Sequence, residues 1–258
     1  MGTAKFDKSS ADPAVEAEMA EGSTPESALA VRGSTELGAF TGDTDDGATL
    51  APFLQINSGR STKPQAGSVG DLILDGEHLI AKMGTPIRMI IVSASKYWKE
   101  YIDPANWSPD VRSKTFLTAK EVLDNGGTTE WHGDEAPTYK RAISMRVLIL
   151  KPTDVQCMFF AVKFGGAEWA PAKWMLDKSA YERKSGREGF GHDLSKAMAF
   201  ALAGRTDLPE NKRLLAGLWE VTVNKAKVGN FQVPVPYLKL VGQNDAAFIA
   251  EMTKAIGG

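Results

Sequence analysis

Between Trp169 and Gly191 the chain reads WAPAKWMLDKSAYERKSGREGFG. Four rings, Trp169, Trp174, Tyr181 and Phe190, are interleaved there with Lys173, Lys178, Arg183, Lys184 and Arg187, against only Asp177, Glu182 and Glu188. Flat rings stack on unpaired bases at about 1–3 kcal/mol each, and cations follow a phosphate backbone, so this mixture suits sequence-tolerant binding of a single strand. Rings also fill cores by default, because each removes a large apolar area from water. Trp174 and Tyr181 have lysine, arginine or small residues around them, which favours an outward position. The expected contacts are therefore Lys173, Trp174, Lys178, Tyr181, Arg183, Lys184 and Arg187. A second interleaving, SASKYWKEYID, adds Lys96 and Trp98, and a polar Gly/Pro-rich turn adds Arg60 and Lys63.

Other chemistry lacks its residues. No GxxxxGK[ST] phosphate loop is present, and SGREGFG has neither the Lys-Ser/Thr pair nor an apolar strand leading into it. Cys157 is the single cysteine, and His78, His132 and His192 are scattered, so the spacing of a zinc site is missing. The carboxylate pairs Asp45-Asp46 and Asp134-Glu135 sit in polar, loop-like sequence, where solvated charges are commoner than general acids or bases. No serine stands in a GxSxG elbow. Nothing here favours an enzyme, and neither a cofactor nor a metal is expected.

The net charge of −2 conceals a division. Residues 1–48 hold three cations against ten carboxylates, a net of −7, which leaves the remainder at +5. An acidic arm thus precedes a mildly basic body, in which any binding face must be a local patch. The arm is rich in Ala, Gly, Ser, Thr and Glu, with too little apolar surface to offset ordering entropy, so disorder is expected over 1–48. No apolar run approaches the roughly 20 residues that span a bilayer, and the acidic N-terminus lacks an apolar signal core. A cytoplasmic protein without a membrane partner is expected.

The elements that must position the rings are mostly strands. APFLQINSGRSTKPQAGSVGDLIL predicts a strand, a polar turn and a second strand near Asp71. TPIRMIIVSAS and AISMRVLILKP are apolar runs of strand length, the second ended by Pro152. CMFFAVKFGG predicts a partner strand across the KPTDVQ turn, whereas SKYWKEYID fits a short amphipathic helix. Trp169 and Trp174 stand five apart with Pro171 between them, so at least one is expected at a surface or bend. HDLSKAMAFALAG predicts a helix capped by Asp193, and GLWEVTVNKAKVGNFQVPVPYLKLVG two strands turning near Gly229. NDAAFIAEMTKAI predicts a capped helix with the stripe Phe248, Met252 and Ile256. Residues 103–140 form a polar, Pro-broken excursion. Strands do not alternate with helices, so the expected fold is mainly β: an antiparallel, OB-like barrel over 49–243 with long insertions, then a C-terminal helix or tail over 244–258.

The order PFLQINSG, GSVGDLIL, MIIV, VLILKP, FFAVKFGGAEWAPAKW, KSAYERK and GNFQVPVPYLKLVG resembles bacteriophage single-stranded-DNA-binding-like proteins of replication modules. The resemblance covers about residues 50–243. It implies an OB-type barrel, single-stranded DNA as ligand, and work in replication or recombination in the host cytoplasm, coating and protecting the strand. Typical bacterial single-strand binders carry an acidic, partner-recruiting C-terminal tip. Here AEMTKAIGG is nearly neutral and the acid stands at the front, which leaves the N-terminal arm for contacts with phage or host replication proteins. Homo-oligomerisation is left open. The competing expectation is a non-enzymatic phage structural or host-interaction protein, whose rings would be core or interface.

Overall fold

A computed structural model describes residues 51–59, 61, 63–102, 111–132, 135–183 and 187–257. The arm expected to be disordered therefore lies outside the described residues. Ten strands form one sheet: β1 (Phe53–Ile56), β2 (Leu72–Leu74), β3 (His78–Ala81), β4 (Ile87–Glu100), β5 (Thr115–Phe116), β6 (Tyr139–Leu150), β7 (Val162–Phe164), β8 (Ala167–Asp177), β9 (Gly217–Val228) and β10 (Phe231–Gln243). Their order is β10-β9-β4-β6-β8-β1-β2-β3, with β5 beside β4 and β7 beside β8. The sheet curls strongly into a half-barrel, a mainly β, OB-like architecture with a few helices. Every pairing between these strands is antiparallel except β1 with β8. The helices are α1 (Ala119–Asp124), α2 (Lys178–Tyr181), α3 (Phe190–Phe200) and α4 (Ala246–Ala255), with a 3-10 helix at Glu210–Ala216.

The long strands β4, β6 and β8 make the frame. Along their inner face Ala94, Met145 and Trp174 stand side by side, next to Ile143 and Leu176, all buried. At one end the opposite face is covered as well. There Phe164 stacks on Trp169, with Phe248 of α4 meeting both edge-on. Burial on two faces explains why MIIV and VLIL are unbroken apolar runs. At Val92 a bulge shifts the register, and beyond it Ala94 is buried, Ser95 exposed and the residues from Lys96 to Glu100 half-buried. The wet part of the outer face begins there.

Several expectations need correction. Within SKYWKEYID, the residues as far as Glu100 are the second half of β4, because they continue the ladder to β6 up to Glu100↔Tyr139. The hairpin partner of β7 is β8, reached through Gly165-Gly166, whose φ values of 57° and 69° suit a tight two-residue turn. β6 pairs instead with β4 and β8. Trp169 and Trp174 occupy opposite faces of one strand, and both are buried. Pro171 is tolerated between them because its missing N–H falls between the segments where β7 and β1 pair with β8. The helix expected to start at Asp193 starts at Phe190, with Gly189 at its N-cap, φ 114°. A Cβ at Gly189 would stand 2.8 Å from the Tyr181 carbonyl oxygen. The β9–β10 hairpin and α4 follow expectation, α4 being capped by Asp245, which accepts from the Phe248 N–H.

Candidate nucleic-acid interface

The stretch with most rings does not present them to solvent. Trp174 is 0% exposed and Tyr181 3%. Trp174 meets Phe190 edge-on, with ring centroids 5.3 Å apart, and is flanked across β6 by Met145. Tyr181 lies on Gly191 so closely that a Cβ there would come within 2.4 Å of its ring. Both residues are core, which overturns their assignment as stacking platforms. The reason is alternation: once the segment is strand β8, Trp174 shares a face with Ala172 and Leu176, whatever polar residues separate them in sequence.

The cations of the same stretch go to different places. Lys173 is on the outer face of β8 beside Arg146, its backbone N–H donating to the Pro52 carbonyl. Lys178 follows at the end of β8, its Nζ 5.2 Å from the centre of the Tyr101 ring. Arg183 lies 5.1 Å from the Tyr237 ring at the β10 edge and donates to the Ser179 carbonyl. Arg187 is exposed. Lys96 and Trp98 belong to the inner-face positions of β4, near its end, where Trp98 stands opposite Arg141. Lys63 lines a polar recess of the β1–β2 loop with Asn57, Ser61, Gln65 and Ser68. Arg60 and Lys184 lie outside the described residues. No single trough unites the described members of this set.

What the fold does assemble is a smaller cluster on the outer face. Beyond the Val92 bulge this face carries Ser93, Ser95, Tyr97 and Lys99 from β4, Lys140, Ala142, Ser144 and Arg146 from β6, and Lys173, Met175 and Asp177 from β8. Four of these positions are cationic, against the single carboxylate of Asp177, and Lys178 adds a further charge. Lys99 is taken by Asp177 at 2.7 Å. Lys140 and Lys178 are left together over one ring: the Lys140 Nζ stands 3.8 Å from the Tyr101 centroid. Partial burial and then the neighbouring Lys178 ammonium hold the Lys140 pKa below its ordinary value. Two like charges beside one aromatic ring form an anion-seeking arrangement, because a phosphate between them would relieve their repulsion.

Lys178 itself sits at φ 51°, a left-handed conformation unusual for a residue with a side chain. β8 ends just before it, at Asp177. Sequence reasoning sees Tyr101 among the rings of SASKYWKEYID without choosing it as a contact, and passes over Lys140 and Arg146. The signal for Tyr101 lies in the alternation Tyr97-Lys99-Tyr101, all of which a strand projects to one side, whereas a helix groups the two tyrosines and turns Lys99 away. Lys140 and Arg146 become visible only when cross-strand register is known.

Among the described residues no three His, Cys, Asp or Glu side chains gather in a metal-binding group. No described helix is long and apolar enough to cross a membrane. No family model matches this chain, and no curated protein or solved structure shows significant similarity to it.

Proposed function

We propose that this protein binds single-stranded DNA with little sequence preference, through the outer face at the ends of β4, β6 and β8, as a phage-type coating protein acting in the host cytoplasm. The observation that carries the reading is the placement of Lys140 and Lys178 over Tyr101, with Arg146 and Lys173 farther along the same face. Tyr101 offers a surface on which a base can stack, and the paired ammonium groups supply phosphate contacts on either side. The strongly curled, OB-like sheet supports the same reading, since such sheets place strand ends and loops around one open face.

The deciding experiment is an anisotropy titration of the full chain with labelled oligo-dT and with a duplex, at low and moderate salt. Binding to oligo-dT that weakens steeply with salt and exceeds binding to the duplex supports the reading. No binding to either at low salt overturns it and favours a protein-interaction role.

A further inference from the structure

β9 and β10 continue far beyond the sheet that anchors them. β9 pairs with β4 only at Trp219, Glu220 and Val221, and one more bond joins the Gly84 N–H to the Val223 carbonyl. From there to Val228↔Phe231 the described ladder runs between β9 and β10 alone, closed by Gly229-Asn230 with Gly229 at φ 58°. At about 3.3 Å per residue, this ribbon extends roughly 17 Å past its last bond to the body.

Its composition is one-sided. Between Glu220 and Asp245 the sequence has no carboxylate, while Lys225, Lys227 and Lys239 contribute three cations. Alternation puts Lys225, Lys227, Gln232 and Pro234 on one face of the ribbon and Ala226, Val228, Phe231 and Val233 on the other. Lys225 and Lys227 are solvent-accessible, and Phe231, beside the turn, is 74% exposed. An exposed phenylalanine at the tip of a thin ribbon adds little to the fold. Pro234 and Pro236 keep the ladder to β9 intact, so their missing donors fall on the free edge of β10. That edge is poorly suited to recruiting a strand from another protein.

We propose that this ribbon is a second, separate contact for single-stranded nucleic acid passing around its tip, with Phe231 stacking on a base at one face and Lys225 and Lys227 holding phosphates at the other. A flexible strand, with planar bases between its phosphates, is the partner that matches an exposed ring at the tip of a ribbon whose other face carries two lysines and no carboxylate. The inference rests on the single-strand reading above but uses residues beyond the opposite end of β4 from Tyr101, since β9 pairs with β4 at Ile87, Arg88 and Met89, so the ribbon is a contact distinct from the outer-face site.

The test uses the full chain and oligo-dT. Phe231→Trp places a reporter at the tip, and its fluorescence is expected to be quenched on saturation beyond the quenching of the parent protein. K225A/K227A is expected to lower affinity and reduce the slope of log K against log salt by about 1.4, from roughly 0.7 per phosphate contact. Unchanged melting of both variants confirms that the fold is intact. If oligo-dT binds the parent protein but the tip reporter shows no added quenching, or the double variant keeps the parent salt slope, the ribbon proposal is overturned while the outer-face reading stands. Loss of binding in Y101A/K140A beside normal binding in K225A/K227A overturns it in the same way. A tip reporter that responds to anionic lipid vesicles and not to oligo-dT also overturns it.

Discussion

Trp174 and Phe190 meet edge to face with their ring centroids 5.3 Å apart, joining the inner face of β8 to the first turn of α3. Both side chains are completely buried. Truncating the indole would leave a large cavity under the curled sheet, so Trp174→Ala is expected to cost about 3–5 kcal/mol. A thermal or urea melt would register this as a large drop in midpoint. Oligo-dT affinity of the protein that remains folded should stay near that of the parent. Strong loss of affinity with an unchanged melt would instead return Trp174 to the binding surface.

Tyr101 is expected to behave in the opposite way. Its ring receives Lys140 and Lys178 on the outer face and supports no buried core. Tyr101→Ala should weaken oligo-dT binding by about 1–2 kcal/mol, roughly five- to thirtyfold, while the melting midpoint moves little. Tyr101→Phe keeps the stacking surface and should bind almost as the parent does. Equal losses in the two variants would point to a role for the hydroxyl, not the ring.

The sequence patterns reach the fold more easily than the site. β1, β2, β4, β6, β9, β10 and α4 follow from apolar runs, turn residues and capping signals that act over a few neighbours. The tyrosine and lysine spacing in SKYWKEYID fits two periods, and locally a helix is favoured because the rings recur three and four apart. Its strand state is set by the ladder to β6, a long-range contact that no local propensity encodes. The same limit misplaces Trp174. In sequence it follows Ala172 and Lys173 and precedes Met175 and Leu176, a mixture that does not fix its side, yet its neighbours in space are Met145 and Phe190, supplied by a strand and a helix elsewhere in the chain. Lys140 and Lys178 are separated by 38 positions in sequence and meet only because β6 and β8 pair.

The depressed pKa of Lys140 gives a pH test with two signs. In the folded free protein its ammonium is disfavoured by partial burial and by Lys178, so in alkaline solution below the usual lysine value of about 10.4 the folded state holds fewer protons than the unfolded one. Stability therefore gains a small increment as pH rises through this window. A bound phosphate favours the ammonium and draws a proton back, so oligo-dT affinity should fall over the same range. Lys140→Arg stays charged and should abolish both trends. Titrations and melts at matched ionic strength would separate them, and parallel trends in the parent and Lys140→Arg would remove Lys140 from the contact.

Lys178 offers the sharpest separation of fold from function. Its φ of 51° is left-handed backbone, costing roughly 1–2 kcal/mol for a residue with a Cβ, whereas glycine adopts it freely. A lysine retained there is expected where its ammonium is needed more than the relaxed backbone, consistent with the strain found at functional sites. Lys178→Gly should raise the melting midpoint slightly, after subtraction of the extra chain entropy that glycine brings to the unfolded state. It should also weaken oligo-dT binding and shrink the salt slope, through loss of one phosphate contact. Lys178→Ala keeps the strained conformation and should lose affinity with no gain in stability. If Lys178→Gly binds oligo-dT as tightly as the parent at both salt concentrations, the paired-ammonium site over Tyr101 is not where the strand lies.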